Sequence, residues 1–236
     1  MQRDFRPDMT ARLAGFSYLA IIILGLTGEL AIRQTLIHPD DAGLTATNIL
    51  ASQGLFRMGI IGDAIMAVFD ILLGVLLFWL LKPVNVIASG LALAFRFAQA
   101  VIIAASLMEL HSALALLLAA GPPADLAAGL AALRLEAHAS GYDLGLLFFG
   151  ISSLFTGYLL MRATFFPTFL GLVIGLAGMI YIIGTGLRFL APNMVELFQP
   201  AYGLCILAEL AFCLWLLFRS VDNEKWWAAE ISAARS

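Results

Sequence analysis

The residues in this sequence best able to do chemistry are charges set inside apolar runs. Two such runs, 56–81 and 86–109, meet at Lys82-Pro83-Val84-Asn85 and carry Arg57, Asp63, Asp70, Arg96 and Glu109. Each run exceeds the roughly 20 apolar residues with which a helix crosses a bilayer. An unpaired charge at the centre of that path costs about 3 kcal/mol or more. Asp70 stands 13 residues before Pro83 and Arg96 stands 13 after it, so antiparallel helices turning there bring the two to one depth. The pattern predicts a buried ion pair between Asp70 and Arg96 that holds the helices in register near mid-membrane. Arg57 and Glu109 are also equidistant from the turn, but 13 residues carry a side chain about 140° around a straight helix. They are assigned to the outer mouth, where long side chains bend towards water.

Asp63 lies two turns from Asp70 on nearly the same helical face, about 10 Å closer to the outer surface. The third run places Ile103 opposite it rather than a cation. A carboxylate so placed takes a proton, holds a cation, or accepts a hydroxyl such as that of Tyr181, which lies at a similar depth. Glu209, halfway along the last apolar run, raises the same question; the competing reading of both is a neutral or paired residue that fixes helix packing. His138 and Tyr142 share a face at a spacing of four, with Asp143 beside them, an arrangement in which His138 can serve as a general base. Asp63, Glu209, His138, Tyr181 and Arg57 form the candidate ligand-binding set.

Other chemistries lack their residues. A metal site needs three or four converging ligands, and Glu109 and His111 point about 200° apart around a helix, so no metal is assigned. No two histidines lie deep in facing runs, as a doubly ligated haem requires. No lysine inside a run offers a Schiff base, and there is neither a nucleophile elbow nor a nucleotide loop. The paired-histidine helix of histidine-rich membrane hydrolases is also missing, and no cofactor is expected.

These side chains need a scaffold, and composition supplies its class. At 62% hydrophobic and 12% charged residues, the chain is far from the soluble norm of near half and about a quarter. The expected fold is all-α: a polytopic membrane helix bundle of six transmembrane helices plus short interfacial helices, forming a single membrane domain over 1–236. The spans are placed at about 13–32, 56–81, 86–109, 140–161, 167–189 and 198–218. Thr10 is placed as the N-cap of the first, which lacks a small-residue cleavage site and is therefore a span rather than a signal peptide. Pro39, Asp40, Asp41 and Gly43 predict a turn before a short amphipathic segment at 47–53. Pro122 and Pro123 stop the third helix, and 124–139, with Leu126, Leu130, Leu133 and Ala137 on one face, is expected to lie at the interface. Pro167 opens the fifth span. Gly171, Gly175 and Gly178 mark a face of close helix packing. Cys205 and Cys213, two turns apart on one helix, are core filler, while Trp226 and Trp227 with Arg219 and Lys225 suit a headgroup-level anchor.

Six spans put both termini on one side. That side holds Arg3, Arg6, Arg12, Lys82, Arg162, Arg219, Lys225 and Arg235, against Arg33, Arg57, Arg134 and Arg188 on the other. The excess predicts cytoplasmic termini in a cell inner (plasma) membrane and an outward-facing polar cavity. Net charge is −3 and scattered, which excludes nucleic acid as a partner. The expected partners are the lipid bilayer, a small-molecule or ion ligand, and a helix-packing partner or second copy.

Between residues 12 and 218 the chain resembles the bacterial membrane proteins grouped as domain of unknown function 4386. The resemblance runs through ARLAGFSYL, the 33–41 stretch, FRMGI, LLFWLLKPVN, HASGYDLGLLFFG, GYLLMRATFFPTFLG and AELAFCLWLL. It implies six or seven spans, with the polar motif residues falling on Arg33, Asp41, Arg57, Arg96, His138 and Glu209, and it implies no activity. Three functions therefore stand open: binding or transport of a small molecule or ion, with Asp63 and Glu209 responding to protons or a cation; an intramembrane enzyme acting on an outer-leaflet lipid through His138; and an accessory or assembly protein docking through the Gly171 to Gly178 face.

Overall fold

The computed structural model describes residues 5–234. Six helices are long and apolar enough to cross a membrane: Pro7–Leu36, Gln53–Leu81, Val86–Leu118, Ala124–Arg162, Thr168–Leu190 and Pro192–Arg219. Two short helices, Ala42–Ala51 and Asn223–Ala233, complete the bundle. There is no strand among the described residues, so the chain is an all-α helical bundle. Arg3 and Arg235, counted above for topology, lie outside the described residues.

Helix ends follow from local chemistry. The second and third long helices are joined by the tight turn at 82–85, closed by Val84 N–H donating to Leu81 O at 3.0 Å. The Asn85 side chain then caps the third by accepting from Ala88 N–H at 2.9 Å. Asp41 and Asp222 cap the two short helices in the same way, at 2.8 and 3.2 Å. The first helix begins at Pro7 rather than near residue 13, because a proline at the first position loses no hydrogen bond. Thr10 is consequently inside the helix and donates its hydroxyl to Arg6 O at 3.0 Å instead of capping. Near its far end the helix widens into a π-helical stretch, Thr27–Arg33, a distortion that often accompanies functional sites.

The segment at 124–139 does not form a separate interfacial helix. It continues without a break into the fourth long helix, Ala124–Arg162, about 58 Å at 1.5 Å per residue. Its alanines and leucines are strong helix formers, and the third helix, which runs on to Leu118, gives it a neighbour along its length. Gly141 and Gly145 permit that approach: a Cβ on either would stand 2.9 Å from Ser106 Cβ or 2.7 Å from Ile103 Cγ1.

The fourth and fifth helices meet through glycine on both sides. A Cβ on Gly157 would stand 2.7 Å from Gly171 O, and one on Gly150 would stand 2.7 Å from Gly178 O. Gly171 and Gly178 of the small-residue face are thus covered from within the chain.

The Trp226 side chain is core rather than an anchor at the headgroups. It is 1% exposed, donates Nε1–H to Leu80 O at 2.9 Å and packs on Phe5 at 4.9 Å between ring centroids. Ser220, at φ 58°, turns the chain after the sixth helix, and its hydroxyl fastens the turn to Asp8 O at 2.8 Å. Lys82 completes the dock with Glu230 at 3.3 Å. Apolar packing falls into two clusters. The larger unites Leu73, Leu80, Leu160, Leu170, Phe212 and Trp226; the smaller gathers Ile32, Ile49, Phe56, Leu110 and Leu114.

Candidate functional site

The Asp70 to Arg96 ion pair is present and buried. Arg96 Nη1 donates to Asp70 Oδ1, with both side chains at most 4% exposed. Gln99, one turn beyond Arg96 on the same face, donates Nε2–H to Asp70 Oδ2 at 2.7 Å. Helical register thus satisfies both carboxylate oxygens from one neighbouring helix.

The guanidinium of Arg96 is also framed by rings, 4.8 Å from the centroid of Phe149 and 5.8 Å from that of Tyr18. Phe149 meets Tyr181 edge-on at 5.1 Å, and the Tyr181 hydroxyl donates to Glu209 Oε1 at 2.6 Å. A single polar centre therefore draws on all six of the long helices. Within it, Glu209 has no cation of its own among the described residues and feels both Arg96 and Asp70 electrostatically. One carboxylate, Asp70, bonds the guanidinium, and the other, Glu209, lies in the same polar centre with no cation bonded to it.

A second polar layer lies towards the opposite end from Lys82. Asp63 is fully buried, and its cation comes from the π-helical stretch of the first helix rather than from the third: Arg33 Nη1 reaches Asp63 Oδ2 at 2.5 Å. Of the readings open from the sequence, this contact favours the paired residue that fixes helix packing; the Tyr181 hydroxyl goes to Glu209 instead. Arg33 also holds Glu29 at 2.9 Å and lies 5.7 Å from the Tyr142 ring centroid. Gly28 makes the approach possible, because a Cβ there would stand 2.9 Å from Asp63 Oδ1.

His138 is buried against the third helix. Its Nδ1 lies 3.1 Å from Ser106 Oγ and 3.2 Å from Ser106 O, and its ring stands edge-on to Tyr142 at 6.0 Å. Asp143 instead pairs with Arg188 at 3.1 Å. Arg57 is exposed on the second helix, and the glutamate at its depth, Glu109, pairs with Arg134 at 3.1 Å. The structure thus joins Tyr181 with Glu209 and separates both from Asp63, His138 and Arg57. Apart from the exposed Arg57, each of these groups has its own polar contacts: Asp63 with Arg33, His138 with Ser106, and Tyr181 with Glu209.

Two partners, Gln99 and Tyr18, were not singled out from the sequence, and Arg33 stood there only as a motif residue without an assigned partner. Gln99 is detectable as the residue one turn from Arg96, and the Arg33 pairing with Glu29 as a spacing of four. Tyr18 carries no signal, because its depth depends on how the first helix is set against the sixth.

The model of the family described as domain of unknown function (DUF4386) matches residues 13–220. The chain belongs to the DUF4386 family. A distant relative, an uncharacterised protein of Archaeoglobus fulgidus, is 29% identical over 160 residues, covering 68% of this chain and 82% of its own. No solved structure matches. The DUF4386 match takes in Asp63, Asp70, Arg96, His138, Tyr181 and Glu209, so both polar layers lie within the family region.

Proposed function

We propose that this DUF4386 protein is a multi-pass protein of the plasma membrane, with both termini cytoplasmic, that takes up a proton or small cation at Glu209 in a transport or sensing role. The observation that carries this reading is charge balance. Asp70 is paired with Arg96, while Glu209, buried in the same polar centre, has no ion-pair partner among the described residues, and an uncompensated charge inside a bilayer is costly. Since the Tyr181 hydrogen bond brings no positive charge, the surplus must be balanced by something from outside the chain. Asp63 is set aside from this role by its own arginine.

The orientation rests on the excess of Lys and Arg at the Lys82 end. Lipid is the expected surrounding partner, with Met58, Ile61, Val68 and Met108 exposed on the second and third helices. Catalysis by His138 is less well supported, because Ser106 holds its Nδ1 and no carboxylate among the described residues bonds to it.

The test is proton uptake by the purified protein in lipid nanodiscs, read with a pH electrode in weakly buffered solution and repeated with sodium. The native chain is expected to bind about one proton or sodium ion more than Glu209→Gln. Equal uptake by the two, for protons and for sodium, would refute the reading.

A further inference from the structure

A partly open cleft of about 10 Å³ lies between the second, third and fourth helices, on the Lys82 side of Arg96. Its polar lining is Ser89, Arg96, Ser152 and Thr156, and its floor includes Gly74 and Ala92. That volume is near the threshold for one water molecule, which also needs two to four polar partners.

The partners are complementary. Ser89 Oγ donates to Phe78 O at 3.1 Å, Ser152 Oγ to Ala92 O at 2.7 Å and Thr156 Oγ1 to Ser152 O at 2.9 Å. Each hydroxyl proton is therefore committed, and what each oxygen still offers is acceptor capacity. Arg96 has the reverse surplus: of its five N–H donors, one reaches an acceptor among the described residues, on Asp70. A water seated there accepts from Arg96 and donates to a hydroxyl. Ser89 lies one turn inside the third helix from the Asn85 cap, and Arg96 is two turns deeper, so the cleft covers about 10 Å of depth. Gly74 keeps the way narrow but open, since a Cβ there would stand 3.1 Å from Arg96 Cδ and 3.0 Å from Leu93 Cδ1.

We infer that this cleft is a water-binding site that hydrates Arg96 from the Lys82 side of the polar centre. The hydration of Arg96 does not rest on the reading of Glu209 given above.

The test is water-to-protein magnetisation transfer in solid-state NMR of the full chain in lipid, labelled with 15N-arginine. The Arg96 guanidinium signal is identified by its loss in Arg96→Lys. Transfer to Arg96 is expected in the native chain, slowed about threefold or more in Ala92→Leu, which fills the cleft, and in Thr156→Val, which keeps its volume and removes a hydroxyl. The Thr156→Val variant keeps the test decisive if Ala92→Leu does not fold. No transfer in the native chain, or equal transfer in the native chain and Thr156→Val, would overturn the inference. Transfer that behaves as expected while Glu209 takes up neither proton nor cation would leave the water site standing and defeat only the proposed function.

Discussion

Arg96→Met and Asp70→Asn remove opposite members of one ion pair, and the structure predicts unequal costs. Losing Arg96 leaves two buried carboxylates without a cation, Asp70 hydrogen-bonded to Gln99 and Glu209 to Tyr181. Breaking a buried pair in this way costs about 3–5 kcal/mol, and the contact with the Phe149 face is lost as well. Losing the Asp70 charge is milder. With Glu209 available as counter-ion to Arg96 and the substituted asparagine retaining an amide oxygen for Gln99 or Arg96, the loss is one charge-assisted hydrogen bond, about 1.5–3 kcal/mol. The expected gap of about 2 kcal/mol is roughly 30-fold in the unfolding equilibrium. Reversible unfolding in mixed dodecyl maltoside and SDS micelles, followed by helical circular dichroism, measures it. If Asp70→Asn costs as much as Arg96→Met, then Arg96 serves Asp70 alone, and the idea that Glu209 also feels its charge is wrong.

Three further outcomes follow from other contacts. Arg33→Gln leaves the fully buried Asp63 with no cation and should destabilise the bundle by about 3 kcal/mol, whereas the exposed Arg57→Gln should fall within about 0.5 kcal/mol of the native chain; the same unfolding assay compares them. Trp226→Ala removes a side chain 1% exposed and should cost about 3–5 kcal/mol, read as faster proteolysis within the C-terminal helix at 223–233. That helix should also loosen in acid. The hydrogen bond from Lys225 N–H holds the Asp222 carboxyl below its ordinary value, so its contribution is complete above the unfolded pKa of about 3.9 and is lost as pH falls through the lower folded value. Asp222→Asn, which still caps, should abolish that acid sensitivity in the same proteolysis assay.

The hairpin at 56–109 is readable because one turn and one spacing determine which side chains share a depth, and Asp70 and Arg96 meet as their numbering requires. Sequence separation fails where partners come from helices whose rotation is set elsewhere. Asp63 looks unmatched against the third helix alone, while its cation stands on the first, advanced by a π-helical stretch that no periodicity announces. The 124–139 segment reads as interfacial from its leucine face, yet nothing within it interrupts helical hydrogen bonding before residue 162. Trp226 has the amphipathic chemistry of a membrane-surface residue; the turn at Ser220 directs it into the core instead. The glycines of the fifth helix are legible as a packing face, and their partners, Gly150 and Gly157, carry the same small-residue signal one helix earlier.

The central claim is that Glu209 is balanced by a proton or cation from outside the chain. Infrared difference spectroscopy of the protein in lipid, titrated with acid in sodium-free and in sodium-containing buffer, addresses it directly through the C=O stretch of a protonated carboxyl group. The account predicts one protonated-carboxyl component in sodium-free buffer, beyond the bands common to all variants, that is absent from Glu209→Gln and also absent from Asp70→Asn, where Arg96 is released to Glu209. A native spectrum with no component that Glu209→Gln lacks, and no sodium-dependent change in the carboxylate region, would contradict it.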